Sequence, residues 1–192
     1  MGKGFVKGRS IGRSSSEVLK GGRMDLLIIR PKADRKGSCT RERFCGNIFG
    51  RVLCPTDFSK PSVELLSLVR SMIDIDEAAL VHTVGDKIYR EDTDFRSREA
   101  ASMLQQYAKD LEEACLKVIV YVLKWDPVQE LIAAAEMLLA YMITMSSQRE
   151  RWSEHIGIGR VAFDVAGKAS RPVLVVKEFY RSSLDLQLES SA

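Results

Sequence analysis

The stretch Arg51-Val-Leu-Cys-Pro-Thr-Asp-Phe-Ser-Lys-Pro61 decides the fold of this 192-residue chain. It opens with a short apolar run that is typical of a buried strand and continues into a turn. Ser59 stands where a helix cap is favoured, and Pro61 suits the first helical position. Apolar residues then recur at helical spacing, at Leu65, Leu68, Val69, Met72 and Ile73. The sequence therefore predicts a buried strand that passes directly into a helix.

The same alternation of strand and helix continues as far as residue 177. Apolar and β-branched runs predict four further strands, at 78–84, 117–123, 140–145 and 173–176. Helical periodicity predicts helices over 95–116, 126–136 and 158–169. Because strands that alternate with helices form parallel sheets covered on both faces, we expect an α/β fold. In such sheets ligands bind at the carboxyl ends of the strands, where the strand order reverses.

Composition excludes several classes of protein. The chain is 45% hydrophobic and 29% charged with a net charge of +3, which is typical of a globular protein and excludes disorder throughout. Its most apolar stretch, residues 131–145, contains Glu136 and is shorter than the roughly 20 residues that a bilayer requires, so we expect no membrane span. The four cysteines form no CxxC pair, so we expect no metal site. We expect the thiols of these cysteines to be reduced, which indicates a cytoplasmic location.

Charge divides the chain into two parts. Residues 1–47 hold 12 Lys and Arg against 4 Asp and Glu, whereas residues 48–192 hold 17 against 22. We therefore expect a basic N-terminal segment over 1–47, a domain over 48–177 and a polar tail over 178–192. The basic segment has few aromatic residues for base stacking, so nonspecific phosphate contact is the only nucleic-acid role open to it, and we do not expect one.

Three motifs resemble the universal stress protein domain. The stretch Val52-Leu-Cys-Pro-Thr-Asp-Phe-Ser59 resembles its opening, Leu80-Val-His-Thr-Val84 its second strand, and Arg171-Pro-Val-Leu-Val-Val-Lys177 its last strand. The motifs fall in order over residues 49–177. The resemblance implies an open, five-stranded parallel sheet in the order 3-2-1-4-5 with helices on both faces, of the adenine-nucleotide alpha hydrolase-like type.

The N-terminal segment carries a second resemblance. Residues 11–19 followed by 24–29 resemble the third helix and fourth strand of the same domain, and many archaeal and bacterial members carry two such domains in tandem. The segment is therefore interpreted as a partial first copy, with a chance helix and strand as the alternative. Because residues 26–29 are apolar, we expect them to pack as an added strand or to dock at an interface. Since the first copy is incomplete, we expect a homodimer through strand 172–177.

The resemblance also implies an adenine-nucleotide site. Asp57 matches the acidic residue that contacts adenine or ribose in the family, and Pro55 and Met145 match residues that line the base pocket. Thr83 stands where a valine usually offers its backbone to adenine. The alternative interpretation of Asp57 is a carboxylate at a helix N-terminus that binds local N–H groups.

The phosphate loop departs from the family pattern. ATP-binding members carry G-x2-G-x9-G-S/T, which aligns with Ser146, Arg149, Gly159 and Arg160, followed by Val161 in the last helix. Only the third glycine is kept. Ser146 adds a Cβ where phosphate approaches the backbone, and Arg160 replaces a small hydroxyl. We therefore expect either no cofactor or weakly bound ATP.

These observations predict a non-catalytic, dimeric regulatory module of the stress response. An adenine-nucleotide sensor that grips phosphate with Arg149 and Arg160 is the alternative. A slow ATP hydrolase is a third hypothesis, but no base or metal ligand is placed for it. His82, Cys54 and Cys115 are interpreted as core residues.

Overall fold

The structure of the protein, a computed structural model, describes residues 13–22, 24–29, 32–33, 39–40, 48–85, 90–147 and 158–177. Within these residues the elements of secondary structure follow one another in the order α1 (Arg13–Gly21), β1 (Leu26–Ile28), β2 (Lys32–Ala33), β3 (Cys39–Thr40), β4 (Arg51–Pro55), α2 (Lys60–Ser71), β5 (Glu77–Val84), α3 (Arg90–Glu112), β6 (Lys117–Lys124), α4 (Pro127–Met137), β7 (Met142–Ser146), α5 (Arg160–Lys168) and β8 (Val173–Val176). Strands β2 and β3 pair with each other in a separate two-stranded sheet. None of the helices among these residues is long and apolar enough to cross a bilayer.

Six strands form the main sheet, in the order β1-β8-β7-β4-β5-β6. The five strands from β4 to β8 are parallel to their neighbours and occupy the predicted order 3-2-1-4-5. The prediction of a five-stranded, wholly parallel sheet is nevertheless wrong. Strand β1 adds a sixth strand and runs antiparallel to β8.

Strand β1 lies on the edge that the sequence assigned to a partner chain. Leu26 pairs with Val175, and Ile28 pairs with Val173. The expectation that residues 26–29 pack as an added strand is therefore confirmed. The edge of strand 172–177 is not bare, because β1 pairs with β8 along it, and the expected homodimer stays a prediction. The interpretation of α1 and β1 as a partial domain copy stays a prediction.

Helices cover both faces of the sheet, as predicted. On one face Leu131 of α4 and Val165 of α5 are buried, together with Leu19 of α1. On the other face Val69 of α2 and Leu104 of α3 are buried. The alternation of side chains along the strands supplies both layers from the same elements.

The strand and helix termini follow the predicted chemistry only in part, because Ser59 precedes α2 without a side-chain cap bond and Pro61 is the second residue of that helix, not the first. Asp126 precedes α4 and its carboxylate accepts hydrogen bonds from the backbone N–H groups of Val128 (2.8 Å) and Gln129 (3.2 Å), so it caps the helix as expected. Cys54 is buried, as predicted. The interpretation of Cys115 as a core residue is wrong. It lies exposed in the turn after α3 with φ 66°, and Leu116 takes the buried position.

Candidate functional site

A crevice is expected where β4 and β7 lie side by side, because the strand order reverses at this point. Leu53 pairs with Ile143 in parallel register. Two residues further along, Pro55 ends β4 at the level of Met145, and Ser146 ends β7. The sequence therefore placed these residues correctly at one edge of the sheet.

The residues expected to line the base pocket lie on one face of the sheet. Met145 is buried in the core layer that also contains Ala79 and Val81 of β5. Thr83 is half-buried, and because side chains alternate along a strand it shares the face of Val81. Pro55 is half-buried at the end of β4. The base side of the predicted site is thus assembled from three adjacent strands.

The loop between β4 and α2 is held by hydroxyl groups. The Oγ1 atom of Thr56 lies 3.0 Å from Oγ of Ser62 and accepts a 3.0 Å hydrogen bond from the backbone N–H of Phe58. The Ser62 hydroxyl also donates to the carbonyl of Ser59 at 2.9 Å. Thr56 and Ser62 are only 5% and 2% exposed. Neither residue was predicted as part of the site, although hydroxyls on either side of Asp57 are a recognisable signal for a turn.

Asp57 is held by the same loop. The backbone N–H and the hydroxyl of Ser59 both donate to its Oδ1 atom, at 3.0 and 2.5 Å. Burial raises the pKa of Asp57, but the hydrogen bonds from Ser59 and Ser62 outweigh burial and leave its pKa below the ordinary value. Ser59 occupies the cap position of α2 without making a side-chain cap bond, because its hydroxyl binds Asp57 instead. The local role of Asp57 is therefore present, and its contact with a ligand stays a prediction.

An aromatic stack supports this loop from the side of α3. Phe58 has φ 62°, in the left-handed region that non-glycine residues rarely adopt. Its ring stacks on His82 with centroids 4.5 Å apart and lies 6.3 Å from the ring of Tyr107. Nδ1 of His82 lies 2.8 Å from the carbonyl oxygen of Thr56, to which it donates because a carbonyl can only accept. His82 is half-buried and hydrogen-bonded, and it fixes the loop rather than merely filling the core.

The phosphate side of the predicted site is built differently. Ser146 pairs in register with Val176 at the end of β7, and Gly159 precedes α5 without a side-chain cap bond. Arg160 is the first residue of α5 and is exposed, whereas Val161 is half-buried against the core. Arg149 lies outside the described residues. The first N–H groups of a helix have no partner within it, so the start of α5 offers donors for an anion.

A model of the Universal stress protein family matches residues 49–177, which is two thirds of the chain. This chain belongs to the universal stress protein family. The match covers all five strands from β4 to β8, and with them both sides of the crevice.

Several relatives of this universal stress protein have been described. Universal stress protein MJ0577 from Methanocaldococcus jannaschii is 24% identical over 155 residues, which covers 68% of this chain and 96% of the relative. A solved structure of MJ0577 is 27% identical and superposes with a TM-score of 0.61, over 68% of this chain and 97% of that chain. A universal stress protein from Archaeoglobus fulgidus DSM 4304 superposes with a TM-score of 0.58 at 20% identity, over 85% of this chain and 53% of that chain. Another from Archaeoglobus fulgidus, in complex with dAMP, gives a TM-score of 0.51 at 18% identity, over 68% of this chain and 99% of that chain.

Cys54 lies in β4, directly before Pro55, and is buried. Burial raises the pKa of the Cys54 thiol to about 12, although a hydrogen bond with Thr144 lowers it in part. Cys54 therefore stays protonated at neutral pH and is a poor nucleophile. In the part of the chain that the structure describes, no three His, Cys, Asp or Glu side chains are grouped so that they could hold a metal ion.

Proposed function

We propose that this universal stress protein is a non-catalytic regulatory module of the cytoplasm whose crevice recognises the adenosine part of an adenine nucleotide and binds its phosphates poorly. The observation that carries this proposal is the loop from Thr56 to Ser62, which holds an ionised Asp57 at the carboxyl end of β4. An Archaeoglobus fulgidus relative of the same fold is in complex with dAMP, which supports an adenine nucleotide as the class of ligand.

Weak phosphate binding follows from the residues at the other side of the crevice. Backbone N–H groups bind phosphate well only where the chain can approach it closely, and glycine allows that approach. Ser146 adds a side chain at the end of β7, and Arg160 places a long side chain at the start of α5. Both changes crowd the position of the phosphates. We therefore expect that the phosphate groups of ATP add little to the binding free energy.

A second candidate function is a nucleotide sensor that holds phosphate with Arg149 and Arg160. The exposure of Arg160 at the first position of α5 favours it, because a guanidinium there can form charge-assisted hydrogen bonds with an anion. The two candidates predict opposite changes in ATP affinity when the arginines are removed.

Titration calorimetry with adenosine and with ATP tests the proposal. We expect the unaltered chain to bind both ligands in the millimolar range or more weakly, about −4 kcal/mol, with similar affinity for each. The triple variant Ser146→Gly, Arg149→Gly, Arg160→Ser restores the glycine pattern. It should bind ATP at least about tenfold more tightly, a gain of about 1.4 kcal/mol, with adenosine binding unchanged.

The variant Asp57→Asn provides the control for the base side. It keeps the size of the side chain but removes its charge, so it should weaken adenosine and ATP binding to the same extent. Tight ATP binding by the unaltered chain that the triple variant loses would favour the arginine sensor instead. Phosphate release from ATP above the spontaneous rate would contradict the non-catalytic role.

A further inference from the structure

Trp125 is an exposed aromatic residue in the turn between β6 and α4. Its side chain is 60% exposed and its φ is 95°, in the left-handed region that a residue other than glycine rarely adopts. Exposing a large apolar ring and holding a strained backbone both cost stability, so folding alone does not account for this residue. Strained backbone conformations cluster at ligand sites, which makes Trp125 a candidate for a role in binding.

The turn that holds Trp125 lies at the same edge of the sheet as the crevice. β6 is parallel to β5, and Val84 pairs in register with Lys124 at the carboxyl ends of the two strands. The backbone N–H of Trp125 donates a 3.3 Å hydrogen bond to the carbonyl of Val84. Trp125 is therefore fixed to the end of β5, beside the residue that follows Thr83, and Thr83 is expected to contact the base.

The chain at Trp125 turns toward the face of the sheet that α4 covers. The preceding residue, Lys124, points to the other face, where its Nζ donates a 2.9 Å hydrogen bond to Asp94 of α3. Asp126, which follows, caps α4. Because α4 contributes to the same core layer as Met145, this turn and the expected base pocket lie on one side of the sheet.

A second strained aromatic residue lies on the other side of Thr83. Phe58, with φ 62°, is in the loop after β4, and β5 lies between β4 and β6. Cys115 and Leu139 also have positive φ, but they lie at the opposite edge of the sheet, before β6 and β7. The ring of Phe58 is stacked on another ring, whereas the ring of Trp125 is exposed. Of these two aromatic residues beside the base pocket, Trp125 is therefore the one that can accept a ligand.

We propose that the indole ring of Trp125 stacks on the base of the bound nucleotide and makes Trp125 a specificity-determining residue of the crevice. The inference rests on the proposed function, because it assigns a further residue to the same site. A heteroaromatic base presents a π-face to an indole, and such stacking contributes to binding without a charge or a hydrogen bond. The crevice should therefore select ligands that carry a base over sugar phosphates that do not.

Fluorescence titration tests the contact between Trp125 and the base. The chain has two tryptophans, so Trp152→Phe leaves Trp125 as the reporter. With excitation at a wavelength that adenosine does not absorb, adenosine should quench the emission with the midpoint that calorimetry gives for its binding. Ribose phosphate at equal concentration should leave the emission unchanged. Quenching by both probes, or by neither while calorimetry shows that adenosine binds, would overturn the inference.

Substitution of Trp125 separates a role in binding from a structural role. Trp125→Gly removes the ring and relieves the strain at φ 95°, so the variant should unfold at a temperature no lower than that of the unaltered chain. It should nevertheless bind adenosine more weakly by about fivefold or more, since the stacked ring is lost. Trp125→Phe keeps an aromatic ring and should bind adenosine within about twofold of the unaltered chain.

Phe95→Ala is the matched control. Phe95 is also exposed, but it belongs to α3 on the other face of the sheet, so its removal should leave adenosine binding unchanged. A folded Trp125→Gly variant that binds adenosine as tightly as the unaltered chain would overturn this inference and leave the proposed function standing. If the unaltered chain does not bind adenosine, both are overturned. If Trp125→Gly does not fold, the fluorescence titration decides alone.

Discussion

The two sides of the crevice are held in different ways. On the base side, the loop after β4 is fixed by the hydroxyls of Thr56, Ser59 and Ser62 and by the stack of Phe58 on His82. On the phosphate side, Gly159 precedes α5 without a side-chain cap bond, and the first residue of the helix, Arg160, is exposed. One side is a hydrogen-bond network, whereas the other, within the described residues, is a helix terminus without a side-chain cap.

This difference shows that folding stability constrains the residues on one side of the site more than those on the other. The hydroxyls that hold Asp57 also fix the start of α2 against the sheet, so we expect their replacement to cost stability and, under the proposed function, ligand affinity. Arg160, the first residue of α5, is exposed, so we expect its replacement to leave the packed layers intact. The residues on the base side of the crevice are therefore constrained by folding, whereas those on the phosphate side can be substituted without unfolding the chain.

The largest expected effect comes from breaking the network on the base side. Thr56→Val keeps the shape of the side chain but removes the hydroxyl that pairs with Ser62 and accepts from the N–H of Phe58. Leaving buried groups without partners should lower the free energy of unfolding by about 2 kcal/mol, measured by urea titration. Ser67→Ala is the control, since Ser67 is exposed in α2, the helix that follows the loop, and should change stability by less than about 0.5 kcal/mol. Equal effects of the two substitutions would contradict the network.

Much of the fold could be predicted because it depends on local patterns. Apolar runs and helical spacing located β4 to β8 and the helices between them, and Asp126 followed by Pro127 marked the start of α4. The antiparallel pairing of β1 with β8 could not be predicted in the same way. Two partners about 150 positions apart in the chain carry no shared local signal, and both a bare and a covered edge satisfy the same periodicity.

The site could be predicted in part for a similar reason. Asp57, Pro55 and Met145 follow strand ends, so topology alone brings them to one edge of the sheet. The hydrogen bond of His82 to the Thr56 carbonyl lies in a loop where Phe58 has a positive φ, and no sequence pattern at that position indicates this conformation. The exposure of Cys115 was missed because its turn interrupts an otherwise regular helical spacing.

A smaller effect is expected from relieving the backbone strain at Phe58, in the candidate site, and at Leu139, outside it. Phe58 and Leu139 both have φ near 60°. The ring of Phe58 is stacked on His82, whereas the side chain of Leu139 is 60% exposed. Leu139→Gly should raise the free energy of unfolding by about 0.5–1 kcal/mol, because glycine adopts this conformation without strain. Phe58→Gly relieves the same strain but loses the stack, so it should give no gain in stability and should weaken adenosine binding. A stabilised Phe58→Gly variant with unchanged binding would show that the stack does not support the site.

The smallest expected effect is a pH dependence that belongs to Asp57. Burial raises the pKa of Asp57, but the hydrogen bonds from Ser59 and Ser62 outweigh burial, so its pKa in the folded protein lies below the ordinary value of 3.8. A carboxylate with a lowered pKa contributes stability that is fully present above its unfolded pKa and is lost as the pH falls through its folded pKa. Between about pH 6 and about pH 3, the unaltered chain should therefore lose more free energy of unfolding than Asp57→Asn, whose side chain does not titrate.

All other carboxylates are common to both proteins, so the difference between the two urea-unfolding series isolates Asp57. Because its side chain is exposed, solvent screening keeps this difference small. Identical pH dependence in the two proteins would show that the loop does not stabilise the ionised form of Asp57, and the contrast between the two sides of the crevice would then rest on the hydroxyl network alone.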